Sequence, residues 1–310
     1  MALLGMHHLT VRSADLDATE AFAHDFGLLT VERSADRLVM RTGGGDAFAY
    51  VAQRADAPGF IGFAVEAESE ADLRHAVERH GATPIRDLHT PGGGKAVSLT
   101  DPNGFRVDLV TGIARSHAAG RDPDLAHNVP GAQTRIGGNQ HRRPLGPPHT
   151  YRLGHLGLFV TSFRETAAWY EARLGMIGSD VYHAPDLPQA KIVGFYRLNR
   201  GEDWVDHHML ALMQREVPDL HHASFEVQDY EAQFVAHRYL EAQGHELIWG
   251  VGRHPHGSHV FDVWRDPNGH RFETFSDTDL LNAREPTHVH DISTVQMDVW
   301  RSDPPDRYFA

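Results

Sequence analysis

Three residues in the second half of this chain, His155, His222 and Glu273, are of the types that close on a divalent cation. Two imidazole nitrogens and one carboxylate oxygen occupy one face of an octahedron. They leave three positions open, the donor set suited to oxygen-activating iron(II). Each residue stands at the start or end of a run that reads as a strand. The first two runs are Gly154-His155-Leu156-Gly157-Leu158-Phe159-Val160 and His222-Ala223-Ser224-Phe225-Glu226-Val227. The third follows the turn Asp266-Pro267-Asn268-Gly269 and ends Arg271-Phe272-Glu273. Asn-Gly suits a tight turn because both residues tolerate positive φ, and the short alternating run after it predicts a strand.

An internal repeat singles these residues out among the 24 histidines of the chain. The phrase Asp101-Pro102-Asn103-Gly104-Phe105-Arg106-Val107-Asp108 returns as Asp266 through Glu273. Gly5-Met6-His7-His8-Leu9-Thr10-Val11 matches the run from Gly154, and Phe60-Ile61-Gly62-Phe63-Ala64-Val65 matches the run from His222. On this alignment the first half carries His8, Phe60 and Asp108 where the second carries His155, His222 and Glu273. Phe60 cannot ligate a metal, so His7 and His8 read as vestigial and the chemistry belongs to the second half. Alternation along a strand points His221 away from His222, and the repeat selects His222.

The surrounding pattern is strand, helix and several strands, four times over. Helices are predicted over 16–26, 71–80, 165–174 and 230–242, each stopped by a glycine, Gly27, Gly81, Gly175 or Gly244. Residues 112–150 are rich in Gly, Pro, Arg and His and read as a connector, part of which packs on its neighbours because 39 residues is long for a plain loop. Its Arg142-Arg143 pair is expected to be solvated or to contact another subunit. The tail from about 280 carries Val295, Met297, Val299, Trp300, Tyr308 and Phe309, too apolar for a free end, and is expected to cover part of the second half.

Bulk properties narrow the function. A net charge of −13 repels phosphate backbones and argues against nucleic acid. The absence of cysteine excludes disulfides and thiolate metal sites. No leader and no long apolar stretch is evident, so a soluble cytoplasmic protein without a membrane partner is the expectation.

These features resemble the vicinal oxygen chelate superfamily, and more narrowly its type I extradiol ring-cleaving dioxygenases. Gly252-x-His254 followed by Asp266-Pro267-x-Gly269-x-x-x-Glu273 resembles the family signature. The resemblance implies an α+β fold of two domains, each of two βαβββ modules forming an open mixed-sheet barrel. The expected bounds are 1–111 for a non-catalytic domain, 112–150 for the connector and 151–310 for the catalytic domain with its C-terminal extension. It implies Fe(II), with Mn(II) sharing the same ligand preferences, held by His155, His222 and Glu273. It also implies a catechol-type substrate opened beside the diol with O₂, and assembly into homo-oligomers.

His208 stands 14 residues before His222, where the family places an acid–base histidine. His207 is adjacent and both faces of the following run are apolar, so periodicity alone does not choose between them. His254 matches a histidine that hydrogen-bonds a substrate oxygen. One position departs from the pattern: the family tyrosine nine residues after His254 is Val263 here, which leaves open how a second phenolic proton is handled. Trp264 faces the other way on a strand. Val263, Trp204, Trp249 and Trp300 are candidates for shaping specificity. Two other readings stay open: a metal-dependent isomerase or epimerase, and a metal-free small-molecule binding protein.

Overall fold

The computed structural model describes residues 1–120, 122, 126–137, 143–301 and 304–309. The first half runs β1 (Leu3–Ser13), α1 (Leu16–Asp25), β2 (Leu29–Arg33), β3 (Arg37–Arg41), β4 (Tyr50–Arg54), β5 (Gly59–Ala67), α2 (Glu70–His80), β6 (Arg86–Asp87), β7 (Lys95–Thr100) and β8 (Arg106–Thr111). The second half repeats the theme with β9 (Leu153–Val160), α3 (Phe163–Leu174), β10 (Ile177–Ala184), β11 (Leu187–Arg197), β12 (Val205–Asp206), β13 (Leu210–Gln214), β14 (Asp219–Glu226), α4 (Tyr230–Ala242), β15 (Glu246–Arg253), β16 (Val260–Arg265) and β17 (Arg271–Ser276). Two short strands follow, β18 (Leu280–Leu281) and β19 (His288–Asp291). The fold is α+β with few helices and two large mixed sheets, as expected.

The strand orders are β2-β3-β4-β1-β5-β8-β7-β6 and β15-β16-β17-β14-β9-β13-β11-β10-β19. In each half the two modules join through one antiparallel pair, β1 with β5 and β9 with β14. The helices begin where short polar side chains cap them: Asp15, Ser162 and Asp229 each accept a first-turn amide. Gly81 and Gly175 close α2 and α3 in the left-handed conformation.

The two halves share one hydrophobic core. Phe22 of α1 and Phe26, which caps it, reach across to Phe272 of β17, with ring centroids 5.3 Å apart in both cases, and Phe272 stacks on Phe225 at 5.7 Å. The repeated turns fasten this junction symmetrically. Asn268 donates to Thr19 Oγ1 of α1 at 2.8 Å, and Asn103 donates to Thr166 Oγ1 of α3 at 3.0 Å. Asp101 and Asp266 hold each turn by accepting amide protons of residues two and four further on.

The connector packs as anticipated where it is described: the amides of Ala114, Ser116 and Ala119 donate to Gly92, Gly45 and Gly43 carbonyls. Arg143 is not solvated. Its guanidinium is largely buried and pairs with Asp122 at 3.0 Å and Asp229 at 2.8 Å, while Arg142 lies outside the described residues. The tail adds β19 beside β10 and ends in a short 3₁₀ turn, Asp306–Tyr308. Among the described residues no helix is long and apolar enough to cross a membrane.

Candidate metal centre

Three neighbouring strands in the middle of the second sheet bring the predicted ligands together. His155 on β9 and Glu273 on β17 lie opposite Ser224 of the central strand β14, one on each side, and His222 lies two residues before Ser224. One nitrogen or oxygen of each of His155, His222 and Glu273 falls within 4.8 Å of the others, and all three side chains are buried. His155 Nε2 stands 3.1 Å from Glu273 Oε1 yet has no hydrogen-bond partner. A buried, unpaired imidazole nitrogen beside a carboxylate is costly unless something else satisfies it. The oxygen is steadied by Ser224 Oγ, which donates to it at 2.6 Å. The strand opposite His222 is trimmed to make room: a Cβ at Gly157 would sit 2.4 Å from the His222 ring. This pocket fits a bound cation.

The protonation states suit ligation. Burial lowers the His222 imidazole to about 3, so it is neutral at ordinary pH. Burial acts to push the Glu273 carboxyl up, but the neighbouring His222 and His155 rings outweigh it and hold it well below the usual range.

A hydrogen-bond chain fixes which His222 nitrogen is free. His221 Nε2 lies 2.9 Å from the Tyr308 carbonyl and must donate to it. In a neutral ring the other nitrogen, Nδ1, is then an acceptor. His222 Nδ1, 2.7 Å away, donates to it, and His222 Nε2 keeps its lone pair. Partners of this kind orient metal-binding imidazoles.

The same logic governs His208. His207 Nε2 donates to the Asp180 carboxylate at 2.6 Å, and the two Nδ1 atoms of His207 and His208 meet at 3.0 Å. With both rings neutral, His208 Nδ1 carries the proton and its Nε2 is a free base. His208 lines the cavity beside the triad, 4.3 Å from the His155 ring between centroids, and burial lowers its basicity well below the usual histidine value. His254 also lines the cavity. Its Nδ1 donates to the Met297 carbonyl at 2.7 Å and its ring stacks on Phe261 at 4.2 Å, which leaves Nε2 as an acceptor.

The cavity is about 470 Å³, large enough for a substituted aromatic ring. Its lining is otherwise largely apolar, with Phe159, Ile192, Val193, Phe195 and Met213 from the strands and Ile292, Val295, Met297, Tyr308 and Phe309 from the tail. His259 was not anticipated. It lines the cavity with its ring 5.4 Å from His155 and its Nε2 4.0 Å from Glu273 Oε1. The run from His254 to His259 holds three histidines, and no periodicity in a loop tells which of them face inward. The four residues expected to shape specificity do not line the cavity. Val263 and Trp249 pack behind Tyr308, Trp204 is 61% exposed, and Trp300 covers Arg253.

The strand register corrects the first-half counterpart of His222. Ala64 lies opposite His8 and Asp108 as Ser224 lies opposite His155 and Glu273, and Gly62 lies opposite Arg106 as His222 lies opposite Arg271. The equivalent of His222 is therefore Gly62, not Phe60. A Cβ there would sit 1.9 Å from the Arg106 carbonyl oxygen, so no side chain fits at all. Asp108 is instead neutralised by Arg86 and Arg106. The first half cannot rebuild the triad.

Residues 152–274 match the Glyoxalase/Bleomycin resistance protein/Dioxygenase superfamily. The match spans the second half of the chain from β9 into β17. Over its full length it is 27% identical to Metapyrocatechase 2 of Cupriavidus necator, covering 92% of that protein. Among solved structures, homoprotocatechuate 2,3-dioxygenase from Arthrobacter globiformis shares the fold with a TM-score of 0.78 at 18% identity, covering 100% of this chain and 91% of that one. A Mn(II)-bound glyoxalase from Novosphingobium aromaticivorans shares it with a TM-score of 0.79 at 23% identity, covering 99% and 94%.

Proposed function

We propose that this chain is an extradiol dioxygenase of that superfamily, opening a catechol-type ring beside the diol with O₂. His155, His222 and Glu273 would hold a divalent metal, Fe(II) in the first place and Mn(II) in the second. The observation that carries this reading is the convergence of two buried imidazoles and one carboxylate at the floor of an apolar cavity, with His208 and His254 presenting free ring nitrogens beside them. The likeness to Metapyrocatechase 2 supports the same chemistry.

The chemistry supplied by the bound cation is acidification of the diol and passage of electrons between ring and dioxygen. The chain's own residues do the rest. Phe159, Phe195 and Met213 receive the ring and exclude water. His254 Nε2 accepts a hydrogen bond from a ring hydroxyl and orients it. His208 Nε2 takes up a diol proton and returns it to the oxygen that leaves when the ring opens, general acid–base work for which burial keeps the resting ring neutral.

Iron-loaded protein mixed aerobically with a panel of catechols should consume O₂ and give yellow ring-fission products. No oxygen uptake across the panel would sink the proposal. A second reading, a metal-dependent isomerase, is favoured by the Mn(II)-bound glyoxalase likeness and by His259, which could add a fourth ligand. Metal-dependent proton exchange into a substrate without O₂ uptake would select it.

A further inference from the structure

The C-terminal turn delivers one phenol to the cavity. Tyr308 is 5% exposed and lines the same space as His155, His222 and Glu273. Its ring stands edge-on to His221 and at an angle to Trp249, with centroids 4.7 Å away in each case. Four hydrogen bonds anchor the turn that carries it. The Tyr308 carbonyl accepts from His221 Nε2, and its amide donates to Pro305 at 2.8 Å. On either side, Arg215 donates to the Phe309 carbonyl at 2.7 Å and Arg307 donates to Ile248 at 2.9 Å. Among the described residues the hydroxyl itself has no hydrogen-bond partner, although tyrosine hydroxyls usually find one when buried.

The ring belongs to a small hydrophobic cluster with Ile248, Trp249, Phe261 and Val263. Val263 is the position at which the sequence lacks the tyrosine of the family pattern. A small side chain there leaves room for a ring arriving from elsewhere in the chain, and Tyr308 is the ring that arrives. Burial, helped by the Glu273 carboxylate, raises the Tyr308 hydroxyl above its ordinary value, so it keeps its proton as a donor at any working pH.

We propose that Tyr308, carried in by the C-terminal segment, donates its hydroxyl to an oxygen of the bound diol and takes the place left empty at Val263. This rests on the reading of the cavity as a catechol site. The role is tested with the full-length chain loaded with Fe(II) under anaerobic conditions, comparing wild type with Tyr308→Phe. That change keeps the ring and its packing. Thermal midpoint and iron content confirm that fold and metal are intact.

The readout is titration with 4-nitrocatechol, whose visible spectrum reports how far the bound diol is ionised, together with kcat and KM for a catechol that the wild type cleaves. The expected result is affinity for 4-nitrocatechol weakened about tenfold or more, as for loss of a hydrogen bond to a charged group. The spectrum should shift towards the less ionised form. Wild-type affinity and spectrum in the variant would overturn the assignment. Wild-type protein that binds no catechol would be a different failure, refuting the catechol reading and this inference with it.

Discussion

The tightest packing against the proposed ligands is at Gly157, and it gives a sharp test. A Cβ built there lies 2.4 Å from both Cε1 and Nδ1 of His222 and 3.2 Å from Met213 Cε. Non-bonded carbons settle near 3.5 to 4 Å, so Gly157→Ala must push the His222 ring away by about 1 Å. A metal–nitrogen bond of about 2.0–2.1 Å does not survive such a displacement. The same shift breaks the 2.7 Å bond from His222 to His221 that fixes the ring. The fold should tolerate the change, because alanine is easier than glycine to order in a strand by about 0.5–1 kcal/mol, offsetting part of an overpacking cost of about 1–3 kcal/mol. Metal affinity, measured anaerobically against a chromophoric chelator, should fall by about 100-fold or more, while the thermal midpoint of the metal-free protein moves little. Wild-type affinity in Gly157→Ala would refute the claim that His222 is held against this strand as a ligand.

Other outcomes follow from the same geometry. Phe272→Ala removes the ring shared by both halves and should destabilise the protein by about 3–5 kcal/mol. All five tryptophans lie between residues 169 and 300, so coincident fluorescence and circular dichroism transitions in urea would show the halves unfolding together, and separated ones would not. His208→Gln should lower kcat by about 10²–10⁴-fold with a small change in KM; an equal loss in both would mean that His208 only binds. Burial acts to push Asp180 up, but hydrogen bonds from His207 and His290 bring it down to about 2. A depressed carboxyl stabilises the fold above its unfolded value near 3.8, and that stability is lost as pH falls through about 2. The stability gap between wild type and Asp180→Asn, from urea midpoints, should therefore be constant above about pH 5 and narrow as pH drops from about 4 towards 2.

Much of this was legible in the sequence because it rests on local rules. The duplicated turn phrase gave the modular architecture, and the same phrase carries Glu273. Strand alternation and the repeat separated His222 from His221, and family spacing separated His208 from His207. The missing parts depend on tertiary structure. Gly62 and His222 hold the same register position opposite β1 and β9, but a glycine and a histidine share no side-chain pattern to match, so Phe60 stood where Gly62 belongs. His259 hides in a loop whose facing is set by contacts with His254 and His155. Arg143 looks solvated until a folded connector brings Asp122 and Asp229 to it. The tryptophans looked like specificity residues by type, but the cavity wall is built from other apolar strand residues and from a tail that first reaches it at Ile292, well beyond the third ligand.

The central claim is a single metal at three side chains. A crystal of the Fe(II)-loaded protein, measured at the iron absorption edge, tests it directly. The account predicts one anomalous peak per chain, bonded to His155, His222 and Glu273 and facing the cavity that His208 and His254 line. A peak held by other residues, or none in protein shown by assay to contain iron, would contradict it.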